Sequence, residues 1–241
     1  VDIGVPDLEA ARAFYGPLFG WEFIVGPQET GFYTTCLVNG EAAAAIGGQM
    51  PGDESPPSWT VYIATADAGA DSARIEGNGG TLVVPPMPVL DFGTMVVFAD
   101  DTGAVAGLWQ SGTHTGADIV DEPGAVVWTE QLSHDLEKAK TFYSAVFGYT
   151  YTDMSVEGAP YASFEVDGVT RGGLGTITPD LGDVPPHWLT YFAVRDTDAA
   201  VEYVASHGGE VVSPPADTQF GRIAVVRGPW RETFAVLTPP A

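Results

Sequence analysis

An α+β fold assembled by tandem duplication is what this chain predicts, and three features of its residues point there. The stretch Asp7-Leu8-Glu9 leading to Phe14-Tyr15 and Leu18-Phe19-Gly20 returns as Asp135-Leu136-Glu137, Phe142-Tyr143 and Val146-Phe147-Gly148, an offset of 135 − 7 = 128. The register then persists, with Tyr33 meeting Tyr161 and Gly40 meeting Gly168; after one inserted residue Pro56-Pro57-Ser58-Trp59 meets Pro185-Pro186-His187-Trp188, and Phe92-Gly93 meets Phe220-Gly221 at the first offset again. Within each copy the order strand, helix, strands is run through twice. Repetition at this period decides the architecture before any motif does.

The boundaries follow from the register. Residues 1–112 form the first copy, 113–124 a polar, glycine-containing linker, and 125–241 the second copy. Copy two opens on the strand-like run Ala125 to Leu132, whereas Val1 falls opposite Thr129, so copy one starts inside its first strand and residues are expected to precede Val1 in the natural protein. Asp7 is a good N-cap for a helix whose apolar residues Leu8, Ala11, Tyr15, Leu18 and Phe19 recur at spacings of three and four, and Gly20 stops it. Next comes a β-rich stretch with Asn39-Gly40 as a hairpin turn, matched by Tyr161 to Val166 with Asp167-Gly168. The second half of each copy begins at Trp59 to Ala64 or Trp188 to Ala193, apolar enough for a buried strand. Asp67 and Asp196 stand where the next helices begin, and these end near Gly77 to Gly80 and at Gly208-Gly209. The prolines in Val83-Val84-Pro85-Pro86 and Val211-Val212-Ser213-Pro214-Pro215 confine those runs to strand ends or edges.

Composition narrows the function classes. At 241 residues there is room for two domains of about 120 residues, each able to bury its own core. Nine basic against 32 acidic residues give a net charge of −23. That field repels nucleic acid and anionic membranes and tolerates neutral or cationic small molecules. No run of about 18 apolar residues suggests a membrane span. Cys36 is the single cysteine and cannot form an internal disulfide, which suits a reducing cytoplasm. Gly172-Gly173-Leu174-Gly175 lacks the spacing and following helix of a phosphate loop.

The order of elements, with Phe14-Tyr15, Leu18-Phe19-Gly20-Trp21, their partners ending at Phe147-Gly148-Tyr149, and Asp100-Asp101-Thr102-Gly103 leading to Leu108-Trp109-Gln110, resembles the glyoxalase/bleomycin-resistance/dioxygenase family, the vicinal oxygen chelate (VOC) superfamily. The resemblance covers essentially the whole chain, twice. It implies two tandem VOC domains, each of two βαβββ modules forming a cup-shaped mixed and antiparallel sheet with the helices outside. Each cup would enclose one small-molecule site. Because duplication supplies internally the partner that single-copy relatives find by dimerising, a monomeric internal pseudo-dimer or a weak homodimer is expected.

Metal-using members of this family take ligands from the opening strand, the strand opening the second module, and the last strand. The resemblance places these positions on Trp128, on Trp59 and Trp188, and near Gly107 and Ala235. Indole offers a metal no lone pair, and Gly and Ala offer no ligand. No metal and no cofactor are therefore expected. The alternative is one divalent ion bound through His187, which adjoins Trp188; His114, His134 and His207 lie in the linker or at element ends.

What the cups offer instead is a carboxylate and aromatic rings. Strand alternation sets Trp128, Glu130 and Leu132 on one face, and the register matches Glu130 with Asp2. Trp59, Trp188, Trp109, Tyr33 and Tyr161 are candidates to line the same hollows, although a tryptophan opening a buried strand also serves as core. Arg171 and Arg222 could satisfy the carboxylates, and Arg171-Gly172-Gly173 against Ala43-Ala44-Ala45 makes the two sites chemically unlike. Two functions stay open. One is metal-independent binding of an aromatic or cationic metabolite or antibiotic, as in bleomycin resistance, with Trp59, Trp188, Trp128, Trp109, Arg171 and His187 as contacts. The other is an isomerase, cyclase, lyase or hydroxylase-like enzyme of secondary metabolism, with Glu130 or Asp2 as general base and Tyr161 or Tyr33 as acid.

Overall fold

The computed structural model describes residues 1–49, 52, 55–156, 158–178 and 183–240. Copy one runs β1 (Asp2–Val5), α1 (Leu8–Phe19), β2 (Glu22–Val25), a 3-10 turn (Gln28–Thr30), β3 (Thr34–Val38) and β4 (Glu41–Gly48). It continues as β5 (Trp59–Thr60), β6 (Tyr62–Ala64), α2 (Ala68–Gly77), β7 (Thr81–Val89), β8 (Gly93–Ala99) and β9 (Val105–Ser111). Copy two runs β10 (Val126–Ser133), α3 (Leu136–Phe147), β11 (Thr150–Asp153), β12 (Tyr161–Val166) and β13 (Val169–Thr176), then β14 (His187–Ala193), α4 (Thr197–Ser206), β15 (Glu210–Thr218), β16 (Gly221–Arg227) and β17 (Thr233–Thr238). This is the βαβββ order, four times.

Local chemistry explains the element ends. Each helix is entered through an aspartate whose side chain accepts backbone N–H groups that the first turn leaves without partners: Asp7 from Glu9 and Ala10, Asp67 from Ala70, Asp135 from Lys138 and Asp196 from Ala199. Gly20 and Gly148 close α1 and α3 in the left-handed conformation, at φ of 70° and 72°. The other two helices end at the expected glycines as well: left-handed Gly79 and Gly208 follow the caps Asn78 and His207, and Gly80 and Gly209 donate their N–H groups back to Ile75 O and Val204 O at 2.9 Å each. Asn39-Gly40 and Asp167-Gly168 both have two positive φ values, the pattern of a type I′ hairpin turn. The proline-bearing strands β7 and β15 are outermost in their sheets, where a missing N–H costs no ladder bond.

Two compact units divide the chain. Unit 1 gathers Val1–Trp59, Ala117–Trp128 and Thr190–Ala241; unit 2 gathers Thr60–Gly116 and Thr129–Leu189. Compact units and sequence copies therefore divide the chain at different places, and each unit joins the leading module of one copy to the trailing module of the other.

In unit 1 the leading module orders its strands β2-β3-β4-β1, with β1 parallel to β4 and the rest antiparallel. The trailing module pairs Tyr191–Ala193 of β14 parallel with β17, which continues antiparallel to β16 and β15. Helix α1 buries Phe14, Tyr15 and Phe19 against Trp21, Trp59, Phe192 and Phe234, with Phe19 and Phe192 centroids 4.6 Å apart. Each such side chain contributes on the order of 1.5–3 kcal/mol. These aromatics come from both copies, which is the physical reason the unit crosses the repeat boundary. Unit 2 repeats the plan with β11-β12-β13-β10 and β6-β9-β8-β7. Its core holds Phe98, Leu108, Phe142, Tyr143, Leu174 and Trp188, all buried.

Candidate functional site

The face of each leading sheet turned away from its helix carries a carboxylate beside a tyrosine. In β1, Ile3 and Val5 are buried on the α1 side, so Asp2 and Gly4 point the other way. There the Tyr33 hydroxyl donates to Asp2 Oδ2 at 3.0 Å. Its ring lies on Gly47, where a Cβ would stand 3.1 Å from it, and Gly47 is the strand partner of Gly4. The absence of a side chain at Gly47 is what lets the ring come this close to the strand.

Unit 2 repeats the pattern with a longer acid. Gln131 turns to the helix side, where its Nε2 donates to Asp100 Oδ2 at 3.0 Å, so its neighbour Glu130 belongs to the open face. Glu130 is the strand partner of Gly173. The Tyr161 hydroxyl sits over Gly173, 1.8 Å from where a Cβ would stand, and the ring continues over Gly175 beside Leu132. At the corresponding place in copy one (173 − 128 = 45) stands Ala45, the strand partner of Asp2. A methyl group there and none at Gly173 makes the two tyrosines sit differently, so the faces are unlike, as Ala43-Ala44-Ala45 against Arg171-Gly172-Gly173 suggests. Glu130 is buried and Asp2 half-buried.

The remaining candidates are dispersed. Trp59 and Trp188 face the helices rather than the open side. Trp59 stands against Tyr15 and Phe192 at centroid distances of 5.3 and 4.9 Å. Trp188 packs edge-on to Tyr143 and its Nε1 donates to the Tyr143 hydroxyl at 2.9 Å. Both are buried, and Trp188 also lines a cavity in unit 2. The run Trp188 to Ala193 is too uniformly apolar for its parity to be read from sequence, and alternation puts His187, Leu189 and Tyr191 opposite Trp188. His187 Nδ1 donates to Pro185 O at 2.8 Å, and burial pulls its pKa below the ordinary histidine value. Trp109, half-buried, donates Nε1 to His114 O at 2.8 Å. Trp128 is half-buried on the open-face parity of β10. Arg171 is exposed at the wall of the same cavity as Trp188. Arg222, at the surface, gives its guanidinium to Asp198 and Asp217.

A metal would need donors at the family's ligand positions. Trp188 spends its only polar hydrogen on Tyr143, Gly107 underlies the Tyr62 ring, and Ala235 is buried without a polar side chain. Among the described residues no three His, Cys, Asp or Glu side chains gather into a metal-holding group. The described residues at these positions do not fit an ion.

Sequence reasoning missed a second pair of acids. In unit 1 the Tyr15 hydroxyl donates to Glu232 Oε1 at 2.5 Å, and Glu232 Oε2 accepts Trp230 N–H at 2.9 Å. In unit 2 the Tyr143 hydroxyl donates to Asp100 Oδ2 at 3.0 Å, while Asp100 Oδ1 accepts the backbone N–H groups of Thr102, Gly103 and Ala104. Burial, then the neighbouring carboxylate, pushes both phenols far above the ordinary tyrosine value, and burial raises Glu232 above the ordinary glutamate value. Offset arithmetic places Glu232 at Ala104 (232 − 128 = 104) and Gly228 at Asp100 (228 − 128 = 100). The room left by Gly228, whose Cβ would stand 1.9 Å from Glu232 Oε1, lets Glu232 fold back into the place Asp100 fills. Only the repeated Tyr15 and Tyr143 signalled this in the sequence.

The comparisons with known proteins agree with the four-module fold. The family model of the Glyoxalase/Bleomycin resistance protein/Dioxygenase superfamily matches residues 1–134 and again 125–236. The chain is 38% identical over 245 residues to CFP32 of Mycobacterium tuberculosis, whose name carries the word glyoxylase, covering 99% of this chain and 93% of that protein. It is 36% identical to the anthracycline biosynthesis protein DauV of Streptomyces sp. (strain C5), covering 98% of this chain and 90% of that one. Among solved structures, the Mn(II)-bound glyoxalase from Novosphingobium aromaticivorans aligns with a TM-score of 0.65 at 14% identity, over 99% of this chain and 80% of that one, a likeness of fold. A chain whose two halves each match the family model, folded as four βαβββ modules, belongs to the glyoxalase/bleomycin resistance protein/dioxygenase superfamily.

Proposed function

We propose that the open sheet faces bind a small organic metabolite or antibiotic without a metal, the Glu130 and Tyr161 face being the principal site. The observation that carries this is the tyrosine laid over glycine beside a carboxylate, seen as Tyr33 on Gly47 with Asp2 and again as Tyr161 on Gly173 next to the position of Glu130. A flat ring offers stacking area, and the acid favours a cationic or hydrogen-bond-donating group. Relatives named for anthracycline biosynthesis support a polycyclic aromatic body for the ligand. The test is calorimetric titration with a polycyclic aromatic amine and its deaminated counterpart. Saturable binding, recovery of the compound unchanged, and a loss of about tenfold, or ~1.4 kcal/mol, for the amine alone in Glu130→Gln are expected. No saturable binding of either compound defeats the proposal.

A second reading rests on the burial of Glu130, whose exposure is only 8%. A desolvated carboxylate next to a phenol is the arrangement an acid–base enzyme of this family would use, Glu130 taking a proton and Tyr161 returning one. Mass analysis of the recovered compound separates the two: a changed product that disappears in Glu130→Gln, with binding retained, favours catalysis.

A further inference from the structure

Unit 1 has a hollow of about 600 Å³ beside the start of α1, walled by Leu8, Glu9, Arg12, Val25, Phe32 and Gln49 among others. It shares no described residue with the face that carries Asp2 and Tyr33. Arg12 is the basic residue of its wall. Its Nη1 donates to the hydroxyl of buried Thr34 at 3.3 Å, and that hydroxyl donates to Phe32 O at 2.9 Å. One of the five guanidinium N–H donors is used there, and among the described residues no ion pair takes the others. Asp7, also in the wall, keeps Oδ1 on the amides of Glu9 and Ala10, so the helix start is already capped.

The second copy shows what is particular to this hollow. Arg12 corresponds to Lys140 (12 + 128 = 140), which pairs with Glu137 at 2.8 Å and lies over the Tyr151 ring, 5.6 Å from its centre. Val25 and its strand partner Thr34 correspond to Asp153 and its strand partner Ala162 (25 + 128 = 153, 34 + 128 = 162). Phe32 corresponds to Pro160 (32 + 128 = 160). Each difference moves copy one the same way: a cation held by a hydroxyl instead of a carboxylate, a negative charge removed, and an aromatic ring added. Phe32 is also 48% exposed and stands in the left-handed region at φ 60°, where bulky side chains are rare. Backbone strain of this kind gathers at ligand clamps.

We propose that this hollow binds a small organic monocarboxylate with a flat apolar body, the carboxylate taken by Arg12 and the body laid on Phe32 and Val25. The guanidinium fork matches a carboxylate through two parallel hydrogen bonds, and the ring supplies stacking area. A dianion such as phosphate is disfavoured by Glu9 in the wall and by the net charge of −23.

Calorimetric titration with naphthaleneacetate and with its uncharged amide tests this. Saturable binding of the carboxylate, about tenfold tighter than that of the amide, is expected. Arg12→Gln is expected to remove that preference. Val25→Asp plants the copy-two residue at an exposed position, leaving the core untouched, and is expected to weaken the carboxylate about tenfold. The NMR signal of the Arg12 Nε–H is expected to move on adding the carboxylate and to stay in place with the amide, and inorganic phosphate is expected not to compete. The proposal is overturned by a lack of saturable binding, by equal affinity for carboxylate and amide, by unchanged affinity in Arg12→Gln or Val25→Asp, by an unmoved Arg12 signal, or by competition from inorganic phosphate.

Discussion

Removing the Tyr15 hydroxyl tests whether the buried acid of unit 1 is held as described. Tyr15→Phe leaves the ring and its packing on Phe14, Phe19 and Trp59 intact, so the change is confined to one hydrogen bond. Glu232 is 1% exposed and would keep Trp230 N–H on one oxygen while Oε1 loses the tyrosine. A hydrogen bond to a charged group contributes about 1.5–3 kcal/mol, and a buried charge stripped of a partner costs toward the upper end, so a loss of about 3 kcal/mol is expected. Adding Glu232→Gln removes the charge that needed the phenol, so the double variant should recover at least about 1 kcal/mol relative to Tyr15→Phe, a coupling that urea unfolding followed by tryptophan fluorescence can resolve. The pH dependence has a definite sign. Burial raises Glu232 in the folded state, so its contribution relative to glutamine is fully present below the ordinary glutamate value of 4.5 and is lost as pH rises through the folded value. The cost of Tyr15→Phe therefore shrinks on acidification. Strict additivity of the two substitutions, or a cost below about 0.5 kcal/mol at neutral pH, would refute a desolvated acid clamped by Tyr15.

Three further expectations follow from single contacts. Gly173→Ala puts a methyl group where the Tyr161 hydroxyl rests, which should cost about 1–3 kcal/mol in thermal melts and displace the tyrosine from the binding face; an unaltered melting temperature would show that the ring has room to swing aside. Asp135→Ala removes the oxygen that accepts Lys138 N–H at 3.0 Å at the start of α3, so chemical denaturation should register a loss of about 1 kcal/mol. Burial pushes the Cys36 thiol far above its ordinary value, so a thiol reagent should react only at the rate of unfolding, and rapid labelling of the native protein would contradict its placement.

The parts of the fold that were legible in the sequence are those written in short range. Asp7, Asp67, Asp135 and Asp196 cap their helices through neighbours two or three residues away, and Asn39-Gly40 and Asp167-Gly168 specify their turns alone. The open-face position of Asp2 and Glu130 was legible because strand alternation needs only parity, and Tyr33 and Tyr161 because the repeat marked them. The facing of Trp59 and Trp188 was not legible, since runs that are apolar on both parities, broken only by Thr60 and Thr190, carry no clear alternation. Nor was the make-up of the compact units, because contacts such as Phe19 with Phe192 join residues far apart in the chain and leave no local mark. Glu232 escaped notice because its counterpart by register is Ala104, while the group it replaces stands four residues earlier.

Each tyrosine of the paired clamps reaches for an acid encoded in the other repeat: Tyr15 for Glu232, Tyr143 for Asp100. Each repeat thus carries a tyrosine and an acid that belong to different compact units. Cut at the linker, each fragment would carry one phenol and one acid destined for different hydrophobic interiors, so the halves should be poorly soluble apart and recover their fold when co-expressed. In the intact chain each repeat supplies the acid that the other repeat's tyrosine holds.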